Sequence, residues 1–556
     1  MRRQLTTAAI AALLAATACS NASDDTDPDR PDIDARAYYE SYQEDADDDA
    51  AGGMTFDSAP QRTDSAAPDG ARPDSEPEQI VPCNDCGPLP PHHEPPITAG
   101  NNFDDAGTSP VVATRQQPKS TFGLDVDTGS YRIAQHLLEQ DVLPPKASIR
   151  PEEWINAYDY GDSDPKDSDL GVLAETAADS DTRTQLMRVA VGARDLADSE
   201  RPPASLTFVV DTSSSMDIRE RLGLVKSSLA LLAENLQPDD KIAIVTYDDK
   251  ARGILEPTPV AESDKILNAI DDLEPGGGTN LEAGVKLGYE YASRSADKAG
   301  INSVILASDG VANIGLTKPD RLANKVSAAA ADSDIHLVTV GYGMGNYNDD
   351  LMEQLADKGQ GFYSYVSTFK EARQLFAEDL TGTLSVAAKD AKAQVEFDPE
   401  NVESYRLIGY ENRAMSDQEF DDKSADAGEI GFGMDTTALY EVTPADNVEP
   451  NAPLGKATVR WQSASEGSQE EVSTELRMPG ASAAPSDALR LSSTVAEFAE
   501  TLKHEQGKKS LDKHLRALQS TAKSLAADDI SGADELADLI GQAIEAHPTG
   551  GPYEIQ

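Results

Sequence analysis

The sequence predicts an α/β fold class: a doubly wound, mostly parallel sheet inserted into a β-rich sandwich, with a helical C-terminal tail and a disordered N-terminal tether. Strand-like and helix-like segments alternate over residues 201–385, as they do in doubly wound sheets. Strand-like segments also lie before and after this region, as expected when one domain interrupts another. The chain has 556 residues, 39% of them apolar, so several domains are expected.

The chain is strongly acidic. It carries 99 acidic and 47 basic side chains, which gives a formal net charge of −52 at pH 7. A surface of this sign repels nucleic acid and anionic lipid headgroups, so neither is expected as a partner. Cations, basic partners, high solubility and adaptation to salt remain compatible with this charge.

Residues 1–19 predict a lipoprotein signal peptide. Arg2 and Arg3 form a short positive region, and the apolar run that follows is too short to span a bilayer. Small residues then precede Cys19 in a pattern that resembles the lipobox of bacterial lipoproteins, except that alanine stands where leucine is usual. This resemblance implies a lipidated Cys19 that anchors the protein to a membrane of the cell envelope. Ordinary secretion is the alternative, and Ser20 favours the outer membrane if the host is Gram-negative.

Residues 20–119 are predicted to be a disordered acidic tether, because they are rich in Asp, Pro, Ser and Gly and poor in branched apolar residues. The tether contains Cys83 and Cys86. Outside the cytoplasm, such an isolated pair favours a small disulfide. A zinc site that uses His92 or His93 as a further ligand is the alternative.

The alternating region, residues 201–385, is predicted to form the doubly wound sheet. Apolar segments predict strands at residues 206–210, 242–247, 303–307, 335–340 and 362–366. Helical spacing predicts helices at residues 222–236, 264–273, 280–293, 321–331, 349–358 and 369–380. In folds of this class, ligands bind outside the carboxyl ends of the strands.

The flanking regions are predicted to be mostly β-structure. Residues 120–200 form an N-terminal flanking region with a helix and strands, and residues 386–480 form a β-rich C-terminal flanking region. Alternating patterns predict strands at residues 170–175, 186–191, 391–397, 405–410, 438–442, 457–462 and 472–476. The tail, residues 481–556, has helical periodicity, which favours helices packed on the sandwich over a partner-binding motif.

Five oxygen-bearing side chains are expected at the carboxyl ends of the predicted strands, four of them directly after a strand and one in the loop 276–280. These residues are Asp211, Ser213, Ser215, Thr279 and Asp309. They are hard oxygen donors without thiolate or imidazole, so Mg²⁺ is the expected ion, with Mn²⁺ or Ca²⁺ as alternatives. Two carboxylates balance the charge of a divalent ion, and a carboxylate from a partner would complete its octahedron. This chemistry favours recognition over hydrolysis.

The same five residues resemble the metal-ion-dependent adhesion site of von Willebrand factor type A (vWA) domains, and all five positions of that site are filled. The resemblance implies that the Ser and Thr hydroxyls bind the ion directly, whereas the Asp carboxylates act largely through water. A serine-rich helix cap at residues 213–215 is the alternative.

The flanks extend this resemblance to about three quarters of the chain. The segments 120–131, 143–145, 149–156, 405–413, 427–430 and 437–441 resemble a bacterial lipoprotein group that embeds a vWA domain. Residues 431–434 depart from the pattern of that group, and so do residues 311–312. Neither departure touches the five metal positions.

The sequence therefore predicts a membrane-anchored, extracytoplasmic module that uses a divalent ion to capture an Asp or Glu side chain of a protein partner. A structural envelope scaffold, in which the metal only stabilises loops, is the first alternative. A metal-assisted hydrolase is the second, but the sequence offers no His-Glu-x-x-His motif, nucleophile elbow or phosphate-binding loop. Asp125 and Asp127 are expected to form turn or interdomain hydrogen bonds rather than an acid–base pair. We therefore expect no enzymatic activity.

Overall fold

The computed structural model describes most of the chain from residue 100 to residue 546. The described ranges are 34–42, 97 and 100–546, with gaps at 163–164, 167, 179–182, 198–199, 298–299, 311–320, 327–334, 424, 426, 466, 481–483 and 505–507. The predicted signal peptide with Cys19, and the pair Cys83 and Cys86, lie outside these residues. Every helix within them is too short or too polar to cross a lipid bilayer.

The predicted doubly wound domain is confirmed as a six-stranded sheet with the strand order β10-β9-β8-β5-β6-β7. All neighbouring pairs are parallel except β6 with β7. The strands are β5 (Ala204–Asp211), β6 (Lys241–Tyr247), β7 (Ala251–Pro259), β8 (Ile301–Ser308), β9 (His336–Tyr342) and β10 (Tyr363–Val366). The central strand, β5, is buried along its whole length, as expected for a parallel sheet covered on both faces.

Helices cover both faces of this sheet and form two separate hydrophobic cores. The helices are α4 (Leu224–Asn235), α5 (Ser263–Asp271), α6 (Leu281–Ser295), α7 (321–326), α8 (Asp349–Lys358), α9 (Phe369–Arg373) and α10 (Leu380–Leu384). One core lies beneath α4 and α9, and the other beneath α6 and α8. The helix predicted over 369–380 is interrupted by a π-helical turn, Gln374–Glu378.

The sequence reasoning missed β7, the antiparallel edge strand. Its burial is low and irregular, and it contains Gly253 and two prolines, which are signals of turns rather than strands. The strand forms because a tight turn leads into it from β6. The Asp248 carboxylate accepts a hydrogen bond from the Lys250 backbone N (2.9 Å).

The predicted sandwich is also confirmed, with the α/β domain inserted between its strands. One sheet has the order β1-β12-β14-β4-β3, and the other has the order β13-β11-β15-β16, with β2 paired to β11. The strands are β1 (Val112–Ala113), β2 (Lys119–Gly123), β3 (Leu170–Ala178), β4 (Gln185–Ala193), β11 (Val386–Phe397), β12 (Val402–Ile408), β13 (Gly428–Gly431), β14 (Asp435–Pro444), β15 (Pro453–Ser463) and β16 (Gln469–Arg477). Both sheets contribute to one core, which includes Tyr440 and Trp461.

The C-terminal tail is helical, as predicted, and it packs on the sandwich. Three helices build it: α12 (Asp487–His504), α13 (Lys508–Ala527) and α14 (Ala533–Glu545). They share a core with α2 (Gly129–Glu139) and α3 (Pro151–Asn156), in which Trp154 is fully buried. A second cluster joins Leu489 and Ala496 of α12 to Leu439 of the sandwich.

The structure differs from the prediction that residues 20–119 are disordered throughout. Residues 34–42 contain a helix, α1 (Ala35–Glu40), whose buried Ala35 packs in the core beneath α4. Residues 112–113 form β1, which pairs with β12. The average composition of the region concealed these segments, because three tyrosines close to α1 supply the apolar surface that the rest of the region lacks.

Asp125 and Asp127 form the expected turn and interdomain hydrogen bonds. The Asp125 carboxylate accepts a bond from the Asp127 backbone N (2.8 Å), and the Asp127 carboxylate accepts one from the Tyr363 backbone N of β10 (2.9 Å). Arg413 of the sandwich region donates to both carboxylates and also pairs with Asp357 of α8 at 2.7 Å. These contacts join the sandwich to the amino ends of the parallel strands.

Glu152, at the start of α3, is a fully buried carboxyl group. Neither of its carboxylate oxygens has a hydrogen-bond partner among the described residues. Burial, with a smaller contribution from the negative charge of Glu411, raises the pKa of Glu152 to about 7. The folded protein therefore favours the neutral form of this side chain.

We expect Glu152→Gln to stabilise the protein at pH 8 and to change its stability little at pH 4. The pKa of Glu152 is higher in the folded state than its ordinary value of 4.5. The stabilisation that this gives is therefore present below about pH 4.5 and is lost as the pH rises through about 7. A shift of this size corresponds to about 3 kcal/mol at pH 8. Thermal unfolding at both pH values measures the change in stability, and Glu449→Gln, at an exposed position, is the control. An equal gain in stability at both pH values would contradict the prediction.

Candidate metal centre

Four of the five predicted metal residues follow two neighbouring strands of the parallel sheet, and the fifth, Thr279, lies in a loop beside the end of a third strand. Asp211 is the last residue of β5, and Asp309 follows the last residue of β8. Thr279 precedes α6, in a loop that contacts the end of β6. Because β8, β5 and β6 are adjacent and parallel, their carboxyl ends meet at one edge of the sheet, the metal edge.

Asp211 is fully buried, and three hydrogen bonds orient its carboxylate. One oxygen accepts a bond from the Ser213 backbone N (2.9 Å). The other oxygen accepts bonds from the Ser308 hydroxyl (2.9 Å) and the Tyr247 hydroxyl (3.2 Å). The two hydroxyl donors come from β8 and β6, so each neighbouring strand helps to position this carboxylate.

The two serines of the motif present their hydroxyls to each other. The Oγ atoms of Ser213 and Ser215 are 3.0 Å apart. Met216, buried directly after them, anchors the turn in the core beneath α4. The hydroxyls therefore converge as ligands of a single ion must. Ser213 occupies the N-cap position of a short 3-10 turn, but its side chain makes no capping hydrogen bond there.

The loop that carries Thr279 is bonded to the serine turn. The Gly276 backbone N donates to the carbonyl of Thr212 (2.7 Å), and the Ser214 backbone N donates to the carbonyl of Gly277 (3.2 Å). Gly277 has a φ of +82°, a conformation that L side chains rarely adopt. Thr279 is buried behind these contacts.

Asp309 is held by a buried arginine that the sequence reasoning missed. One Nη atom of Arg221 donates to the Asp309 carboxylate (2.9 Å) and to the carbonyl of Ser215 (2.8 Å). Its other Nη atom donates to the carbonyls of Met344 (2.6 Å) and Gly345 (3.0 Å). The sequence feature that could have pointed to Arg221 is its position directly before the apolar residues of the helix that follows the serine motif.

The electrostatics of the centre favour a bound cation. Burial, and then the negative charge of Asp309, raise the pKa of Asp211 to about 7. A divalent ion close to both carboxylates would offset their repulsion, and the remaining donors are hydroxyl oxygens, which suit Mg²⁺. The residues present therefore fit the ion that the vWA resemblance implies. Among the described residues, no group of three or more His, Cys, Asp or Glu side chains is placed to hold a metal ion.

Family models match three parts of the chain. The model described as von Willebrand factor type A domain matches residues 205–378, which include all five candidate metal residues. A model described as von Willebrand factor matches residues 97–188. A model described as Uncharacterized protein YfbK, C-terminal, matches residues 382–545.

Individual proteins are similar to parts of this chain. Uncharacterized protein YfbK of Escherichia coli (strain K12) is 36% identical over 351 residues, which are 61% of this chain and 60% of YfbK. Uncharacterized protein sll0103 of Synechocystis sp. (strain ATCC 27184 / PCC 6803 / Kazusa) is 28% identical over 162 residues, which are 29% of this chain and 37% of that protein. The chain thus spans less than two thirds of either relative. Among solved structures, von Willebrand factor type A from Catenulispora acidiphila is similar over 68% of this chain and 90% of that chain, with 15% identity and a TM-score of 0.42.

The inserted sheet and its matched domain model define the class: this is a bacterial protein that contains a vWA domain. Within that class, the chain is similar to YfbK. These matches indicate no enzyme family.

We expect Ser308→Ala to lower Mg²⁺ affinity by about 10-fold, because the hydroxyl of Ser308 orients the Asp211 carboxylate without itself being a candidate ligand. Isothermal titration with Mg²⁺ measures the affinity. Ser303→Ala is the matched control, since Ser303 is buried on the same strand, close to its other end. Equal Mg²⁺ affinities of the two variants would show that the hydrogen bond from Ser308 to Asp211 does not contribute to ion binding.

Proposed function

We propose that this protein is an extracytoplasmic lipoprotein whose vWA domain binds an acidic side chain of a protein partner through a divalent ion, most favourably Mg²⁺. The observation that carries the proposal is the convergence at the metal edge. Ser213 and Ser215 present paired hydroxyls beside the buried Asp211. The loop that bears Thr279 is bonded to the same turn, and Arg221 bridges Asp309 to it.

Each residue has a distinct task in this proposal. The hydroxyls of Ser213, Ser215 and Thr279 would hold the ion directly, and the carboxylates of Asp211 and Asp309 would balance its charge from farther away. The ion would supply a positive centre for a carboxylate of the partner. Backbone hydrogen bonds join the Thr279 loop to the serine turn, and Arg221 joins Asp309 to the same turn, so the donors are positioned before the partner arrives.

The surroundings of the two carboxylates support binding rather than hydrolysis. A metal-assisted hydrolase needs a general base that can take a proton from water. Asp309 is paired with Arg221, and Asp211 already accepts three hydrogen bonds. Both carboxylates are therefore engaged in holding the site together.

We expect Thr279→Ala to abolish metal-dependent partner capture while the protein stays folded. Loss of one of three direct hydroxyl ligands weakens binding of the ion, and the partner's carboxylate then lacks its anchor. Mg²⁺ titration comes first, followed by capture from an envelope extract with Mg²⁺ or with a chelator. Thr207→Ala is the control, because Thr207 is equally buried in β5 and its hydroxyl has no hydrogen-bond partner among the described residues.

The two arms of this experiment separate the proposal from its alternative. Capture that needs Mg²⁺ and the Thr279 hydroxyl supports recognition at the metal edge. Equal capture with Mg²⁺ and with chelator would contradict it and would favour a scaffold that makes its contacts through the flanking regions.

The proposed membrane anchor is tested separately at Cys19. We expect Cys19→Ala to prevent incorporation of a labelled fatty acid and to move the protein from the membrane fraction to a soluble fraction. Cys83→Ala is the matched control, because Cys83 lies 64 positions after Cys19 and outside the lipobox-like pattern. A Cys19→Ala protein that stays labelled and membrane-bound would overturn the anchor.

A further inference from the structure

Two pieces of the N-terminal segment contact the vWA domain on either side of Arg221. The first is the segment 34–42, which contains α1 and packs against α4 and the turn before it. Ala35 is buried, and its carbonyl accepts a hydrogen bond from the Ser227 hydroxyl of α4 (2.6 Å). The Tyr42 hydroxyl donates to the Asp217 carboxylate (3.0 Å). This segment therefore reaches a residue only two positions beyond the serine motif.

The turn that the segment contacts is the one that carries Arg221. Residues Arg219–Gly223 form a π-helical turn, a rare conformation whose shape depends on its neighbours. The Arg219 guanidinium lies over the Tyr39 ring, 5.1 Å from its centroid, and Gly223 lies directly beneath Tyr42. The segment 34–42 thus contacts both ends of this turn.

The second piece holds the loop on the opposite side of Arg221. The side-chain oxygen of Asn101 accepts hydrogen bonds from the backbone N atoms of Gly345 (3.0 Å) and Tyr347 (2.9 Å). The Asn102 backbone N donates to the carbonyl of Tyr347 (2.8 Å). The carbonyl of Gly345 in this loop is one of the four acceptors of Arg221.

We propose that these two pieces act as a strap: by docking on the vWA domain, they fix Arg221, which in turn positions Asp309 in the metal centre. Arg221 is a positioning residue in this scheme. The inference deepens the proposed function, because it names a regulator of the same site, and it rests on that function for its effect on the ion. When the strap is docked, the residues of the metal edge keep the positions that bind the ion, and this raises the affinity for Mg²⁺.

The physical basis is the cost of moving a buried arginine. The Arg221 side chain is 3% exposed, and its donors bond to Asp309, Ser215 and the loop 343–348 at once. A buried charge cannot give up such partners without a large penalty. Loosening the turn that carries Arg221 therefore also loosens Asp309 and the loop 343–348. Linkage makes the effect reciprocal: bound Mg²⁺ must strengthen docking of the strap by the same factor.

The test uses the full chain with Ala35→Arg, and Ala37→Arg as the matched control. Both variants add the same side chain to the same helix, but Ala35 is buried against the core and Ala37 is exposed. We expect Ala35→Arg to weaken Mg²⁺ binding about 5-fold or more and Ala37→Arg to leave it unchanged. Hydrogen exchange of the metal-free proteins is the second readout, and exchange in residues 343–348 is expected to be faster in Ala35→Arg alone.

Gly223→Ala provides an independent way to displace the strap. Gly223 has a helical φ of −60°, so alanine favours the helix by about 1 kcal/mol. Its Cβ would meet the Cβ and Cγ atoms of Tyr42 at 2.9 Å, so Tyr42 must move. The expected result is faster exchange in residues 343–348 and weaker Mg²⁺ binding, without loss of thermal stability of the vWA domain.

The outcomes separate the strap from the proposed function. If the wild type binds Mg²⁺ and Ala35→Arg binds it equally well, the strap is overturned and the metal-dependent function stands. If the wild type does not bind Mg²⁺, the proposed function fails. Hydrogen exchange then tests whether the strap still fixes the loop 343–348. Equal exchange in residues 343–348 of both arginine variants then overturns the strap, whereas faster exchange in Ala35→Arg supports its mechanical part.

Discussion

The buried ion pair between Arg221 and Asp309 is the contact on which the order of the metal edge depends. A guanidinium removed from water is tolerated only when its charge is paired and its donors are bonded. Arg221 satisfies this by reaching three separate parts of the chain: the serine turn, the end of β8 and the loop after β9. One side chain therefore links the serine turn, Asp309 and the loop 343–348, in addition to the backbone hydrogen bonds at this edge.

The sheet supports these loops at one edge, and the sandwich packs at the other. The parallel sheet brings the ends of β8, β5 and β6 to one edge, and the sandwich contacts the opposite edge. The bonds of Asp127 to Tyr363 and Arg413 fix that second edge. The Glu152 carboxyl group, which lies against Gly409 just after β12, lowers stability at high pH.

Much of this arrangement could be predicted from local pattern, and the remainder could not for identifiable reasons. The shared edge of Asp211 and Asp309 is predictable because the carboxyl ends of parallel strands converge, whereas Thr279, which follows no strand, was assigned through the vWA resemblance. Arg221 was missed because a buried arginine has no sequence pattern of its own; its partners are backbone carbonyls and an acid 88 positions away. The edge strand β7 was missed because its burial is irregular and it contains a glycine and two prolines. Helix α1 was missed because the region around it is poor in apolar residues.

The insertion also has a mechanical consequence. The chain enters the vWA domain at the start of β5 and leaves it after α10, and both crossings lie at the amino edge of the sheet, beside the sandwich. A partner held at the opposite edge would therefore pull along the strand axes. Such a load acts in shear on many hydrogen bonds of β5 at once instead of unzipping them one by one. Under the proposed function, this orientation of the domain would resist tension between the partner and the body of the protein.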